Sequence, residues 1–110
     1  MIKVVITRNT KGSITAFDIN GHADYADEGL DIICSAVSVT AYTAAGALED
    51  LAGIKQCYRE SDGHLTITLP QEMTDMQKTT VGIILETTAI GFKQIELSYG
   101  KYVSVVEKEV

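Results

Sequence analysis

With 110 residues and a mass of 11.9 kDa the chain is the size of one domain, and a domain of this length buries roughly two thirds of its unfolded surface. A composition of 45% hydrophobic and 22% charged residues excludes disordered, collagenous and repeat polypeptides. Nine basic against fifteen acidic residues, a net charge of −6, exclude the broad cationic footprint of direct nucleic-acid binding and suit a basic polypeptide partner.

Residues 1–8 turn polar before a signal-peptide stretch can form, so no targeting segment is expected. Residues 2–7 and 14–19, dense in β-branched side chains and joined by Asn9-Thr10-Lys11-Gly12-Ser13, predict a hairpin. Residues 20–31 carry two glycines, four acids and one aromatic, Tyr25, which predicts a loop that packs little. A helix is expected over 31–52, where Val37, Ala41, Ala44, Ala45, Leu48 and Ala52 recur every three or four positions, with Gly53 at its C-terminal cap. Its alanines at 41, 44, 45 and 47 point to close helix packing rather than to a ligand. Residues 56–60 and 65–69, separated by Ser61-Asp62-Gly63-His64, predict a second hairpin. Beyond Pro70, Met76, Ile83, Ile90 and Leu97 recur at sevens beside Ile84, Phe92 and Ile95, so residues 74–99 predict a long helix ended by Gly100. Its two apolar faces suggest a core side and a dimer seam, and periodicity does not say which is which. Residues 102–106 complete the chain as a short edge strand.

The order strand-strand-helix-strand-strand-helix predicts one α+β domain spanning 1–110, an antiparallel sheet with two helices packed on one face. The longest uninterrupted apolar run, Val81-Gly82-Ile83-Ile84-Leu85, is far below the roughly 20 residues of a membrane span, so a soluble, cytoplasmic protein without a membrane partner is expected. Two cysteines are too few for a disulfide-stapled domain and are read as free thiols.

Chemistry concentrates between residues 21 and 38, where one histidine, one cysteine and several carboxylates surround the predicted loop-to-helix junction. Asp31 reads as an N-cap, which puts Cys34 in the first helical turn, where the helix dipole and a neighbouring imidazolium favour a thiolate. Each residue also has a plainer reading. Cys34 is equally suited to a core position, His22 to a structural surface histidine, Asp31 to capping alone, and Ser38, on the same face as Cys34, to a bond back to a carbonyl. Cys57 reads as a structural thiol buried in a strand, and His64 as an ordinary polar residue after a turn. A metal site built from His22, Asp24, Asp31 and Cys34 lacks the short paired spacings of zinc sites, and no phosphate-binding or dinucleotide motif is present, so neither metal nor cofactor is expected.

Gly21-His22-Ala23, then Asp31-Ile32-Ile33-Cys34, then Ser35-Ala36-Val37-Ser38, with Gly29 at a loop glycine, resembles the ribosomal-processing cysteine protease family, Prp. Ser35 stands where that family more often has alanine. The resemblance implies a homodimeric thiol protease that takes the N-terminal extension from one large-subunit ribosomal protein, number twenty-seven, during ribosome maturation. It implies Cys34 as nucleophile and His22 as the proton-transferring partner, with Asp31 and Ser38 in support. The intervening loop, including Gly21, Ala23, Asp24, Tyr25 and Gly29, would cover the substrate. Read from the residues alone, a module that binds a basic protein without cutting it remains the alternative.

Overall fold

The computed structural model describes residues 1–21 and 28–110, the side chains of residues 28–31 excepted. The chain runs β1 (Ile2–Arg8), β2 (Ile14–Asn20), α1 (Glu28–Ala52), β3 (Tyr58–Ser61), β4 (His64–Thr68), α2 (Asp75–Tyr99) and β5 (Val103–Glu109). The five strands form one sheet in the order β3-β4-β2-β1-β5.

Alternation decides which face of the sheet is covered. Ile2, Val4 and Ile6 of β1 are buried, as are Phe17 and Ile19 of β2 and Leu65 and Ile67 of β4. Lys3, Val5, Asp18, Asn20, His64 and Thr66 therefore face the other, open side, because successive side chains along a strand point to opposite faces. Both helices cover the first face. From α1 come Ile33, Val37, Ala41, Ala44, Leu48 and Ala52, and from α2 Val81, Leu85, Ala89 and Phe92, all in the one core. The rings of Phe17 and Phe92 meet edge to face with centroids 5.3 Å apart, locking α2 onto the centre of the sheet. α1 and α2 approach closely where Gly91 faces Thr40, whose Cγ2 leaves little room for a Cβ. From Ile32 to Ala52, α1 is long and apolar enough to cross a membrane by composition, but its apolar stripe is the one packed on the sheet.

The turns follow from local chemistry. Asn9 Oδ1 accepts from the amides of Lys11 and Ser13, at 2.9 and 3.0 Å, and Gly12 takes the left-handed conformation that closes the first hairpin. Thr74 caps α2 in a reciprocal box with Gln77.

The structure departs from the sequence reading in three places. α1 begins at Glu28, three residues before Asp31, so Asp31 is not the N-cap, Gly29 belongs to the first helical turn rather than to the loop, and Cys34 falls in the second turn. The strand read over 56–60 starts at Tyr58, leaving buried Cys57 in the connection where Gln56 adopts φ 64°. The last strand extends to Glu109 and pairs parallel with β1, so the sheet is mixed rather than wholly antiparallel. The chain reaches that parallel position because α2 crosses over the sheet between β4 and β5. Of the two apolar faces of α2 that periodicity left unassigned, the repeat at sevens is the outer one, with Met76, Ile83, Ile90 and Leu97 60 to 80% exposed.

Candidate active site

α1 carries Cys34 and Ser38 one turn apart, both half-buried, with Cys34 packed against the margin of the core. Ser38 lines a cavity of about 600 Å³ together with Ile19, Gly21, Leu65 and the residues of the β3–β4 turn. Gly21 is thus held at the same opening as Ser38. Its φ of 95° belongs to glycine, and a Cβ there would collide with the carbonyl oxygen of Met1. Its amide donates to Gly63 O at 3.0 Å. The chain therefore enters the following segment from a fixed point, tied to the terminus on one side and to the β3–β4 turn on the other.

His22, Ala23, Asp24 and Tyr25 lie outside the described residues, as does the side chain of Asp31. Gly21, immediately before His22, and Ser38 on α1 meet at the mouth of one cavity.

Both cysteines are free thiols, in different settings. Cys34 is half-exposed, whereas Cys57 is buried and burial pushes its thiol up from its ordinary range. His64 also borders the cavity that Gly21 and Ser38 line, and its ring is engaged by a carboxylate. Its Nε2 lies 2.7 Å from Asp18 Oδ1 on the open side of the sheet, where Asn20 Nδ2 also donates to that carboxylate at 2.9 Å. Among the described residues no cluster of histidine, cysteine and carboxylate could hold a metal ion.

Beyond Ser38 the cleft continues. A second cavity, of about 510 Å³, is lined by Tyr42, Ala45, Gly46 and Glu49 of α1, by Gln56 and Cys57, and by Tyr58 and Glu60 of β3. Glu60 lines both cavities, which therefore adjoin at this residue along the groove between α1 and β3. Tyr42 Oη donates to the Glu60 carboxylate at 3.0 and 3.2 Å, Tyr58 Oη bonds to the same group, and the two rings meet edge to face at 5.7 Å. Burial, and then the Glu60 carboxylate, push the Tyr58 phenol well above its ordinary range, so it stays protonated as a donor. Reading the sequence missed these three residues, although Cys34, Ser38 and Tyr42 follow one another at intervals of four on one helical face.

The model of the family "Cysteine protease Prp" matches residues 1–104. The chain belongs to the Prp family. The ribosomal processing cysteine proteases Prp of Bacillus subtilis and Staphylococcus aureus are 26% and 29% identical to it, over 90% and 92% of this chain and 90% and 93% of theirs. The crystal structure of an essential ribosomal processing protease Prp from S. aureus with a substrate peptide superposes with a TM-score of 0.84 at 27% identity, covering 98% of this chain and all of that one. SMU.848 from Streptococcus mutans gives 0.85 at 26%, covering 100% of this chain and 96% of that one. Another S. aureus Prp structure, TM-score 0.81, 28% identical and covering 98% of this chain and 100% of that one, holds a covalently linked product peptide. Membership in Prp makes this chain a cysteine protease and decides against a binding module that does not cut.

Proposed function

We propose that this Prp chain is a processing endopeptidase that removes the N-terminal extension of large-subunit ribosomal protein number twenty-seven during ribosome maturation in the cytoplasm, with Cys34 as nucleophile. The observation that carries the reading is the convergence of Gly21, Ser38 and the Cys34 helix on one cleft, on a chain whose relatives are named ribosomal processing proteases.

In the proposed reaction His22 takes the proton from Cys34, and the thiolate attacks the scissile carbonyl carbon. The tetrahedral adduct collapses as the C–N bond breaks, and the His22 imidazolium gives its proton to the departing amine. Water, deprotonated by His22, then hydrolyses the thioester and the thiol is restored. Ser38 lines the mouth a turn from the nucleophile, and Asp31 follows the loop on the helix that bears it. An oxyanion donor within α1 comes from the first turn, residues 28–31, because amides further along are engaged in the helix. The loop over residues 23–27, anchored at Gly21, covers the bound peptide.

The enzyme acts as a homodimer in this account. Met76, Ile83, Ile90 and Leu97 on α2, with Ile32 and Val39 on α1, form an apolar outer surface on the helical layer, suited to a second copy.

The catalytic reading is tested by assaying Cys34→Ala, His22→Ala and Cys57→Ala on the N-terminally extended ribosomal protein. The first two are expected to lose at least about 1,000-fold in rate while keeping the wild-type circular dichroism, and the third to keep activity. Full activity in Cys34→Ala or His22→Ala contradicts the assignment.

A further inference from the structure

The sheet has two edges, and they are treated differently. At β5 the outward amide of Val105 is taken by the Glu96 carboxylate of α2 at 2.6 Å, so a side chain plugs that edge. At β3 no described residue does this. The two-residue turn Asp62-Gly63 makes Ser61 and His64 a hydrogen-bonded pair, and bonding alternates from there, so Arg59 and Ser61 turn their backbone groups inward to β4. The bond from Thr68 N to Cys57 O at 2.9 Å continues that alternation one step further. The N–H and C=O of Tyr58 and Glu60 therefore point outward, away from β4, at the free edge of the sheet, while their side chains lie on the helix-covered face and line the groove with α1.

The groove is sized for a peptide. From Ser38 to Glu49, α1 rises about 16 Å, the length of about five extended residues, and β3 supplies four residues of edge alongside it. It opens beside Ser38, one turn from Cys34. The Tyr42 hydroxyl, bonded to Glu60, ties the helix to the strand across the floor and fixes the width of the channel.

We infer that the substrate segment adjoining the scissile bond binds as an added strand on β3, exchanging backbone hydrogen bonds with Tyr58 and Glu60. Its alternate side chains drop into the α1–β3 groove between Tyr42, Gly46 and Tyr58. Main-chain pairing supplies affinity, and selectivity falls on every second residue of the substrate. Side chains between them face the open side of the sheet near Arg59 and are selected little. This inference rests on the proteolytic reading above and adds where and in what conformation the substrate lies.

The test uses the full chain carrying Cys34→Ala and a synthetic peptide copy of the ribosomal protein's N-terminal extension and its first residues. Amide hydrogen exchange is read with and without peptide, and binding is repeated with single backbone N-methylations along the peptide. The expected result is at least tenfold slower exchange at the Tyr58 and Glu60 amides. N-methylation at alternate residues should weaken binding at least tenfold, and at the intervening residues less than twofold. Glu60→Pro, which removes an outward N–H at the sheet edge, should raise KM at least tenfold while the circular dichroism stays that of the wild type. Protection confined to other elements, or N-methyl effects without alternation, overturns the docking mode while cleavage by the wild-type chain still supports the protease reading. A peptide that the variant does not bind overturns the docking mode as well. If the wild-type chain also leaves it uncut, the assigned substrate falls too.

Discussion

Cys34 and Cys57 illustrate how one residue type divides by environment. A thiol reacts as its thiolate, and burial withholds both access and ionisation from Cys57, while Cys34 is only half-buried, one helical turn before Ser38 at the cleft. Iodoacetamide at neutral pH should therefore label Cys34 at least about tenfold faster than Cys57, read by peptide mapping. Equal rates would remove the distinction. Gly21 is as constrained as either cysteine. Gly21→Ala imposes a strained φ and a clash with Met1 O, and should destabilise by about 1 to 3 kcal/mol with a larger proportional loss of cleavage, because the residue fixes where His22 starts. A thermal melt and a rate measured well below the melting temperature separate the two effects. The sequence already singles out Gly21, Cys34 and Ser38, and the structure brings Gly21 and Ser38 to one cavity. The glycine's reason was not legible there, because the approach of Met1 is a contact between the chain terminus and β2 that local pattern does not encode.

At the scale of elements, both helices and both hairpins were readable from periodicity and turn residues, and the errors sit at boundaries. α1 starts at Glu28, earlier than the sequence reading placed it, because the apolar stripe that marks the helix in the sequence begins, among the described residues, only at Ile33. Asp31 looked like a cap because the acidic residues around it suit both a first turn and a loop. β5 was read too short because its far half is held by charge rather than by apolar burial. Arg8 bridges Glu86 at 2.7 Å and Glu107 at 3.1 Å, and Lys93 reaches Glu107 at 3.0 Å. Lys93, then Arg8, hold the Glu107 carboxyl below its ordinary range. A depressed carboxylate stabilises the fold above its unfolded pKa, and that contribution disappears as pH falls through the lowered folded value. With Glu107 40% exposed, solvent screens the network to about 1 kcal/mol or less. Glu107→Gln should thus lower the melting temperature slightly near pH 7 and flatten its decline at acid pH, whereas an unchanged acid limb would show that the pairs contribute nothing.

For the whole molecule, the sequence carried the α+β class and the two-helix layer, but not the mixed sheet, since strand direction depends on where the α2 crossover delivers β5. Nor could periodicity assign the two apolar faces of α2. The structure puts Phe92 and Leu85 in the core and leaves the Ile83–Ile90 line outside. In the dimeric account, Ile83→Glu should yield a monomer by analytical ultracentrifugation with little change in secondary structure, and a dimer that persists would place the interface elsewhere. The groove between α1 and β3 was also illegible, because it joins a helix face to a strand edge that only the folded chain brings together. The central claim is that this chain cuts the N-terminal extension from the large-subunit protein through Cys34. Intact-mass spectrometry of that extended protein after incubation under reducing conditions tests it most directly. The account predicts a single loss equal to the extension with the wild-type chain and none with Cys34→Ala, whereas an unchanged mass with the wild-type chain, or the same loss with both, would contradict it.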